Sequence, residues 1–512
     1  MDRWSSRRHT ANDSRRSAAA SWDQVIVIAN RGPFTPERRT NGSIRVRQSS
    51  GGLVTALGPL VRACSGTWVA CGTDVADSRA FSECGDLDVR CVRARYRLRY
   101  VCLPEEEHRG YYYGFANQGL WPLCHALSVP PVFRPGDFLA YRRANVRFAA
   151  AVADEATCAS PLVLVQDYHF ALAPRELRRR LPLSTILTFW HVPFPRARVL
   201  ESCPWAKELL VGLLGSDITG FQTREDCENF LDSVEHIVGA DVTRTDGFVT
   251  YCGQTTRVRA YPVGVEWDNE VVRTTPSASA CAEGVRGDLG LPSCVKLGVG
   301  IDRLDYTKGI NEKFLGIERL LEVHPEFRGR FTFVQVAEPS RECLPEYRKT
   351  HEQLAATAER VNARFGTGAS APIVLRHAHH EPDEVYRLYR AADLCYVASL
   401  RDGMNLVAKE FVSARNDERG VLVLSEFAGA AEQLRAALLV NPYSVDASAS
   451  ALARALTMTD VEQSKRMRVL RATVAEFDAR WWTERLLADS WSRKRARLSS
   501  SHHASSETRA TA

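Results

Sequence analysis

The sequence predicts an α/β protein with two domains, each built on a mostly parallel sheet. The chain has 512 residues and 45% hydrophobic content, more than a single core normally serves. Short apolar runs alternate with helical patterns, which is typical of strands joined by crossover helices. The alternation stops once, from about residue 266 to residue 291, where Thr, Ser, Ala and Gly dominate. This polar stretch is the expected domain junction.

Residues 24–266 are predicted to form the first domain. An apolar run ends at Asn30-Arg31-Gly32-Pro33, and a helical pattern begins at residue 50 and runs towards residue 62. The predicted strands of this domain are 24–29, 162–166, 185–190 and 218–221. Each ends in a polar turn, and the carboxyl ends of parallel strands are where open α/β sheets bind ligands.

Residues 267–473 are predicted to form the second domain, with strands at 295–300, 331–336, 373–375, 392–399 and 421–424. A helix over 474–497 carries an aromatic stripe and is expected to pack back on the first domain. The tails, 1–23 and 498–512, have the composition of disordered segments. A transit peptide is an alternative for the first tail, although Asp2 and Asp13 weigh against it.

Composition excludes several classes of protein. The formal net charge of +6 is small for this length and lies largely in the tails, so no nucleic-acid partner is predicted. No apolar run approaches the roughly 18 residues of a membrane span, so no membrane association is predicted. The 14 cysteines are scattered without a Cys-x-x-Cys pair. They indicate reduced thiols and a cytoplasmic protein.

One strand-to-helix turn, residues 400–410, has the features of a ligand site. Gly403 allows close approach of the backbone to a ligand, while Asp402 can accept from sugar hydroxyls and Glu410 from a ribose diol. A positive rim is expected from the N–H groups of the next turn, which belong to Met404, Asn405, Leu406 and Val407. Ordinary helix capping is the alternative interpretation of the Asp and Gly alone.

Seven segments together carry a family resemblance. They are Asn30-Arg31-Gly32, Ser50-Gly51-Gly52-Leu53, Tyr112 to Trp121-Pro122, Gln166-Asp167-Tyr168-His169, Trp190-His191-Val192-Pro193, Asp302-Arg303-Leu304-Asp305-Tyr306-Thr307-Lys308-Gly309 and the 400–410 turn. In this order they resemble the trehalose-6-phosphate synthase family of retaining glycosyltransferases, from about residue 25 to residue 487. The resemblance implies the GT-B fold, in which two Rossmann-like domains face each other across a cleft.

The resemblance also implies transfer of glucose from a nucleotide-diphosphate glucose to glucose 6-phosphate, giving α,α-trehalose 6-phosphate. Arg303 and Lys308 are then the cations that hold the leaving diphosphate. Gly52 is expected to let a glycine-rich loop approach the donor. Two surface cations near a turn, and a simple turn glycine, are the alternatives to these roles.

The acceptor phosphate is expected, by resemblance, at Arg31, Tyr112, Trp121 and Arg341. Asp167 would hold acceptor hydroxyls, and His191 would lie beside the transferred sugar. The catalytic set is therefore predicted as Arg303, Lys308, His191 and Asp402. No metal or cofactor is expected, since these cations serve the diphosphate, and a front-face mechanism needs no enzymic nucleophile. Ligand binding is expected to close the cleft, and a homo-oligomer is possible.

Two positions depart from the family pattern. Cys71 stands where well-known members have a tryptophan near the acceptor sugar, and His380 stands where a phenylalanine often lies near the base. The donor base is therefore open among uridine, guanosine and adenosine. Glycerol 3-phosphate or a phosphorylated amino-cyclitol is the alternative acceptor. A non-catalytic sugar-phosphate sensor and a phosphorylase are the alternatives to a transferase.

Overall fold

A computed structural model describes residues 22–38, 44–48, 57–58, 60–61, 64, 66–72, 87–88, 97–368 and 370–510. The chain forms two compact units. The first unit contains the described residues up to Tyr261 together with those from Arg480 onwards, and the second is Pro262–Ala479. The chain therefore leaves the first unit five residues before the junction predicted at 266/267, and returns to it within the helix predicted from residue 474.

The first unit is built on a ten-stranded sheet. In chain order its strands are β1 (Val25–Ile28), β4 (Thr67–Gly72), β5 (Leu87–Asp88), β6 (Arg97–Cys102), β7 (Leu162–Gln166), β8 (Thr185–Phe189), β9 (Ile218–Phe221), β10 (Asp241–Thr243), β11 (Phe248–Tyr251) and β12 (Gln254–Ala260), and a separate hairpin pairs β2 (Phe34–Arg38) with β3 (Ile44–Gln48).

The central strands of this sheet run parallel in the order β6-β4-β1-β7-β8-β9-β12, with antiparallel strands only at the two edges. The strands β1, β7 and β8 are buried along their whole length, which explains why they are continuous apolar runs in the sequence. The order reverses between β1 and β7. This is the topological switch point, where ligands bind in doubly wound sheets.

Helices accompany this sheet. They span Glu105–His108, Trp121–His125, Pro135–Glu155, Ala173–Arg180, Ala197–Leu200, Ala206–Leu213 and Arg224–Ser233, with π-helices at Arg109–Leu120 and Val234–Val238 and a 3-10 turn at Tyr168–Phe170.

The last helix, Ala479–Ala510, belongs to the first unit from Arg480 onwards. Trp482, Leu486 and Leu487 are buried, so part of the predicted aromatic stripe does face a core. Asp489 accepts hydrogen bonds from Arg259 and Tyr261 (3.0 and 2.8 Å). The helix predicted from residue 474 begins later in the structure, because the preceding helix ends at Glu476 and residues 477–478 are not helical. The last helix continues through residues 498–510, which were predicted to belong to a disordered tail.

The second unit is built on a six-stranded sheet in which every pair is parallel. Its strands are β13 (Lys296–Arg303), β14 (Phe331–Glu338), β15 (Ile373–Arg376), β16 (Leu394–Val397), β17 (Val421–Ser425) and β18 (Leu438–Val440). The order β15-β14-β13-β16-β17-β18 is that of the Rossmann fold, with its switch point between β13 and β16. A buried apolar cluster includes Phe314, Phe333 and Tyr396.

The helices of the second unit span Glu270–Thr274, Ala278–Asp288, Ile310–Val323, Pro345–Phe365, Pro382–Ala391, Leu406–Ala414, Val445–Thr457 and Asp460–Glu476, with 3-10 turns at Tyr306–Lys308, Pro325–Phe327 and Gly429–Glu432. The first two lie in the polar stretch that was expected to be the junction. Asn269 and Ser277 cap them by accepting from Val272 N and Ala280 N, so these polar residues begin helices.

The described part of the chain contains neither a membrane-spanning helix nor a disulfide. No helix within it combines the length and the apolar character needed to cross a bilayer. The twelve cysteines described there are all free thiols, of which five are buried.

Candidate active site

The switch point of the second unit carries Arg303 and Lys308. Arg303 is the last residue of β13, and Asp305 then caps the 3-10 turn by accepting from Thr307 N at 3.0 Å. Gly309 follows in the left-handed region with a φ of 61°. A Cβ at Gly309 would lie 2.0 Å from the carbonyl oxygen of Ala398, so only glycine lets this turn pack against the end of β16. The close approach brings Lys308 to the 400–410 turn.

Lys308 and Asp402 form an ion pair with a distance of 2.5 Å between Nζ and Oδ2. Both side chains are largely buried, at 12% and 14% exposure. The same carboxylate oxygen accepts from Ser399 Oγ at 3.2 Å and from Asn405 Nδ2 at 3.1 Å. Asp402 is thus held by three donors and fixes the ammonium of Lys308 at the switch point.

The helix Leu406–Ala414, called here the rim helix, begins directly after this pair. Asn405 precedes it with a φ of 79° and accepts from Ala408 N at 3.1 Å. The first N–H groups of a helix have no partner within it, so those of Leu406 and Val407 lie at its positive end. Together with Arg303 and Lys308 they make this edge of the second unit suited to a diphosphate.

Glu410 lies one turn into the rim helix. Tyr389 donates its hydroxyl to Glu410 Oε2 at 3.1 Å. Burial raises the pKa of the Glu410 carboxyl, and the bond from Tyr389 partly offsets that effect. An oriented, partly desolvated carboxylate of this kind accepts strongly from a pair of hydroxyl donors.

The next residue back along the rim helix, Lys409, is a feature that the sequence analysis missed. Its side chain is buried, and Nζ donates to Val263 O at 2.6 Å and to Gln433 Oε1 at 2.7 Å. Burial lowers the pKa of Lys409 to about 7. A lysine inside an amphipathic helix looks like a surface residue in the sequence, so no signal distinguished it.

Arg341 lies in the second unit, where it makes a buried ion pair. Its Nη1 is 3.2 Å from Asp305 Oδ2 and also donates to Tyr347 Oη. Burial raises the pKa of the Asp305 carboxyl, but the positive charges of Arg341 and Arg303 outweigh that effect and hold the pKa below its usual value. The arginine has a φ of 50°, so the turn after β14 is in the left-handed region. Arg341 is therefore joined to the Arg303 turn through Asp305.

A second buried network lies directly behind β13 and was also missed. Lys313, which is fully buried, forms an ion pair with Asp302, and Gln335 donates to Asp302 at 3.0 Å. Burial raises the pKa of Asp302, and the ammonium of Lys313 opposes that rise. Gly300 leaves room for this network, since a Cβ there would lie 2.3 Å from Gln335 Oε1.

The switch point of the first unit carries Arg31 and Asp167. Arg31 follows β1, and its side chain is exposed. Its carbonyl oxygen accepts from Trp68 Nε1 at 3.3 Å, which fixes the turn. Asp167 follows β7 with a φ of 76°, and its Oδ1 accepts from His191 N at 3.0 Å. The ends of β1, β7 and β8 are thereby brought to one edge.

The imidazole of His191 is neutral. Its Nε2 lies 2.9 Å from Gln166 Oε1, and its ring centroid lies 4.5 Å from that of Phe189 and 6.4 Å from that of Trp482. Burial lowers the pKa of His191 to about 3. At neutral pH it is therefore a hydrogen-bonding group without charge.

Tyr112 and Trp121 join the same edge through the residues that follow Asp167. The ring of Tyr112 stacks on His169 at 5.8 Å and 11° and on His108 at 5.5 Å and 13°. Trp121 is buried and lies 5.8 Å from Tyr168 between ring centroids. The structure thus groups the two aromatic residues with Asp167.

Three further positions singled out in the sequence are Gly52, Cys71 and His380. Gly52 lies outside the described residues. Cys71 is buried in β4, and burial together with the nearby Cys102 raises its pKa to about 12, so it is a neutral thiol. His380 Nδ1 lies 3.1 Å from Ala378 O. Within the described part of the chain no three His, Cys, Asp or Glu side chains are arranged to hold a metal ion.

The predicted site residues divide between the two units. Arg303, Lys308, Asp402, Glu410 and the rim-helix N-terminus lie together in the second unit, which also contains Arg341. Arg31, Tyr112, Trp121, Asp167 and His191 lie in the first unit. Each unit thus presents one set of groups at its own switch point, cationic in the second and mixed polar and aromatic in the first.

Comparison with known proteins identifies the family. A protein-family model described as "Glycosyltransferase family 20" matches residues 23–490. A trehalose-6-phosphate synthase of Mycobacterium sp. (strain JLS) is 37% identical over 476 residues, which cover 90% of this chain and 95% of that protein.

Solved structures agree with this result. A structure described as trehalose-6-phosphate from E. coli bound with UDP-2-fluoro glucose has a TM-score of 0.80 and 30% identity, covering 91% of this chain and 98% of that one. An alpha,alpha-trehalose-phosphate synthase (UDP-forming) from Burkholderia xenovorans in complex with glucose-6-phosphate has a TM-score of 0.79 and 32% identity, covering 91% and 100%. The predicted GT-B class of two Rossmann-like units is confirmed. The chain is an enzyme that belongs to glycosyltransferase family 20.

Proposed function

We propose that the enzyme transfers glucose, with retention of the anomeric configuration, from a nucleotide-diphosphate glucose to glucose 6-phosphate and so forms α,α-trehalose 6-phosphate. The observation that carries the proposal is the cationic edge of the second unit, where Lys308 is fixed by Asp402 beside Arg303 and the rim-helix N-terminus. The relatives named as synthases, one with a UDP-glucose analogue and one with glucose 6-phosphate bound, support both substrates.

The donor is held through its diphosphate and its ribose. Arg303 and Lys308 contact the phosphate oxygens, and the N–H groups of Leu406 and Val407 complete the cradle. Glu410, oriented by Tyr389, accepts from the ribose hydroxyls. Negative charge grows on the leaving diphosphate as the glycosidic bond breaks, so cations fixed in advance stabilise the transition state more than the ground state.

The transfer of glucose needs no nucleophilic side chain of the enzyme. The bond between the anomeric carbon and the diphosphate oxygen breaks, and the acceptor hydroxyl oxygen forms the new bond on the same face. The leaving diphosphate takes the acceptor proton. Asp402 and Glu410 are already engaged by Lys308 and Tyr389, which argues against either as a nucleophile. His191, neutral at pH 7, can bond a sugar hydroxyl without opposing the developing positive charge on the sugar.

The acceptor is assigned to the groups of the first unit and Arg341. Arg31 offers an exposed guanidinium fork for phosphate, and Asp167 accepts from sugar hydroxyls. Cys71 stands where well-known members of the family have a tryptophan, so the surface next to the acceptor sugar ring differs. Other phosphorylated acceptors are therefore tested alongside glucose 6-phosphate.

An acceptor and donor panel tests the proposal. Purified enzyme is supplied with UDP-, GDP- or ADP-glucose and with glucose 6-phosphate, glycerol 3-phosphate or a phosphorylated amino-cyclitol, and the product is identified by NMR. We expect α,α-trehalose 6-phosphate, with the anomeric coupling constant of the α configuration. Turnover only with another acceptor would reject glucose 6-phosphate. If the protein binds these substrates but turns over none of the donor–acceptor combinations, the result would support a non-catalytic sensor.

A further inference from the structure

A cavity of about 440 Å³ lies within the second unit at the carboxyl end of the rim helix. It is lined by Trp267, Asp268, Val272, Arg273, Thr275, Ser277, Arg390, Ser413, Asn416 and Arg471. Its volume falls in the range of small-molecule sites. The donor cradle is at the opposite end of the same nine-residue helix, about 13 Å away at 1.5 Å per residue. The cavity is therefore separate from the donor cradle.

Arg471 is the central cation of this cavity. Its guanidinium lies 4.7 Å above the ring of Trp267, and Nη1 donates to the carbonyl oxygens of Val412 and Ser413, both at 3.1 Å. Its other nitrogens, Nε and Nη2, have no hydrogen-bond partner among the described residues. The guanidinium is thus oriented by stacking and by two carbonyls while one edge stays available to a ligand.

The other two arginines contribute differently. Arg390 is 3% exposed and donates to four carbonyl oxygens, those of Val272, Thr275, Pro276 and Ala414. It therefore supplies fixed positive charge but few remaining donors. Arg273 is exposed and has no ion pair within the described part of the chain. Its guanidinium can move to meet an anion.

The charges around the cavity are unbalanced. Asp268 is the single carboxylate in a lining with three guanidinium groups. The acidic residues nearest Arg471 are engaged elsewhere, since Asp417 pairs with Arg415 at 2.8 Å and Glu418 with Arg468 at 2.6 Å. Burial lowers the pKa of Arg471, against the opposing effect of these two carboxylates. An anion in the cavity would relieve this cost of burying positive charge.

We propose that this cavity is a binding site for a small phosphorylated molecule, whose phosphate is held by Arg273 and Arg471 and whose hydroxyl-bearing body contacts Asn416 and Ser277. Two guanidinium forks suit a dianionic phosphate, and short polar side chains beside an indole suit a polyol or sugar. The inference is independent of the proposed function, because none of these residues belongs to the donor or acceptor set.

The position of the cavity gives its occupant a route to the reaction. Arg390 and Arg471 bond the carbonyl oxygens of the last turn of the rim helix, at Ala414 and at Val412 and Ser413. An anion that draws Arg471 towards the cavity competes with those bonds. We therefore expect an occupant to change the KM for the nucleotide sugar at the other end of the helix.

Phosphate titration in a variant that lacks Arg31 and Arg303, one arginine from each substrate site, tests the proposal. In Arg31→Ala/Arg303→Ala, binding of inorganic phosphate and of glucose 1-phosphate is followed by calorimetry. We expect one binding event to remain, to be tighter for glucose 1-phosphate, and to weaken at least tenfold when Arg273→Glu is added. Arg273 is exposed, so this change should leave the thermal unfolding midpoint unaltered. Arg273→Lys should recover part of the affinity.

Trp267 supplies an independent readout. Ligand binding that moves Arg471 off the indole should change tryptophan fluorescence, and Trp267→Phe should abolish that change while phosphate still binds. Loss of all binding in Arg31→Ala/Arg303→Ala, or unchanged binding in the Arg273→Glu variant, would overturn the site. Equal affinity for phosphate and glucose 1-phosphate would overturn the assignment to a phosphorylated organic molecule.

Discussion

The two units place their functional groups at the same topological position but differ in the kind of side chain found there. In both sheets the first and fourth parallel strands are neighbours, β1 with β7 and β13 with β16, and the turns after those strands carry the site. The second unit fills its turns with ion pairs. The first unit fills its turns with a neutral histidine, stacked aromatics and an aspartate bound to a backbone N–H.

The difference follows from what each edge is proposed to bind. A diphosphate requires fixed positive charge, and in the second unit Asp402 holds Lys308 in place for it. A sugar body requires directional hydrogen bonds and flat apolar surface, which Asp167 and Tyr112 offer. Strand order thus decides where a site forms, and the side chains after the strands decide what it recognises.

The largest expected effect tests the cationic edge. Lys308→Ala should lower kcat by about 10²–10³-fold, because a preorganised charge on the leaving group is lost. Asp402 keeps its hydrogen bonds from Ser399 and Asn405, so the variant should remain folded, which a cooperative thermal unfolding transition would show. Lys465→Ala, a change at an exposed lysine of the same unit, should leave kcat within about twofold. Steady-state kinetics of both variants makes the test, and equal kcat values would remove Lys308 from the catalytic set.

The sequence was informative about this edge for a physical reason. A buried strand followed by glycine and charged residues leaves a clear pattern, so the 400–410 turn could be selected from the residues themselves. Arg303 and Lys308 were selected by resemblance, because two cations near a turn are not specific on their own. Ion-pair partners leave no such pattern: the pairing of Lys308 with Asp402, of Arg341 with Asp305 and of Lys313 with Asp302 joins residues distant in sequence. Tyr112 and Trp121 were selected only by resemblance, since buried aromatics are ordinary core residues.

A second prediction concerns stability behind the cationic edge. Lys313→Met should lower the free energy of unfolding by about 3–5 kcal/mol, because it leaves Asp302 buried without its counter-charge. The double variant Lys313→Met/Asp302→Leu should recover most of that loss, since both charges are gone. Denaturant unfolding of the single and double variants measures the difference. A single variant as stable as the parent would show that the pair is not buried in solution.

A third prediction concerns the neutral histidine of the first unit. The folded pKa of His191, about 3, lies below the unfolded value of about 6.5, so the unfolded state binds the proton first. Its contribution to stability is therefore complete above pH 6.5 and is lost progressively as the pH falls towards 3. The loss should be up to about 1.4 kcal/mol for each pH unit in that window.

The matched variant for that prediction is His191→Gln, which keeps a hydrogen-bonding group and cannot titrate. Its unfolding free energy should depend less steeply on pH between 4 and 6 than that of the parent. Identical slopes for the two proteins would mean that His191 is accessible to protons in the folded state, and His191 would no longer distinguish the edge of the first unit from that of the second.

The smallest expected effect is that of removing metal ions. If Arg303, Lys308 and the rim-helix N-terminus balance the charge of the leaving diphosphate, a divalent cation has no remaining task there. The rate after dialysis against EDTA should then stay within about twofold of the untreated rate, and added Mg²⁺ should not raise it. Comparing treated and untreated enzyme at saturating substrates measures this directly. A large loss restored by Mg²⁺ would mean that the protein cations alone do not neutralise the diphosphate, and Lys308→Ala would then be expected to show a steeper Mg²⁺ requirement than the parent enzyme.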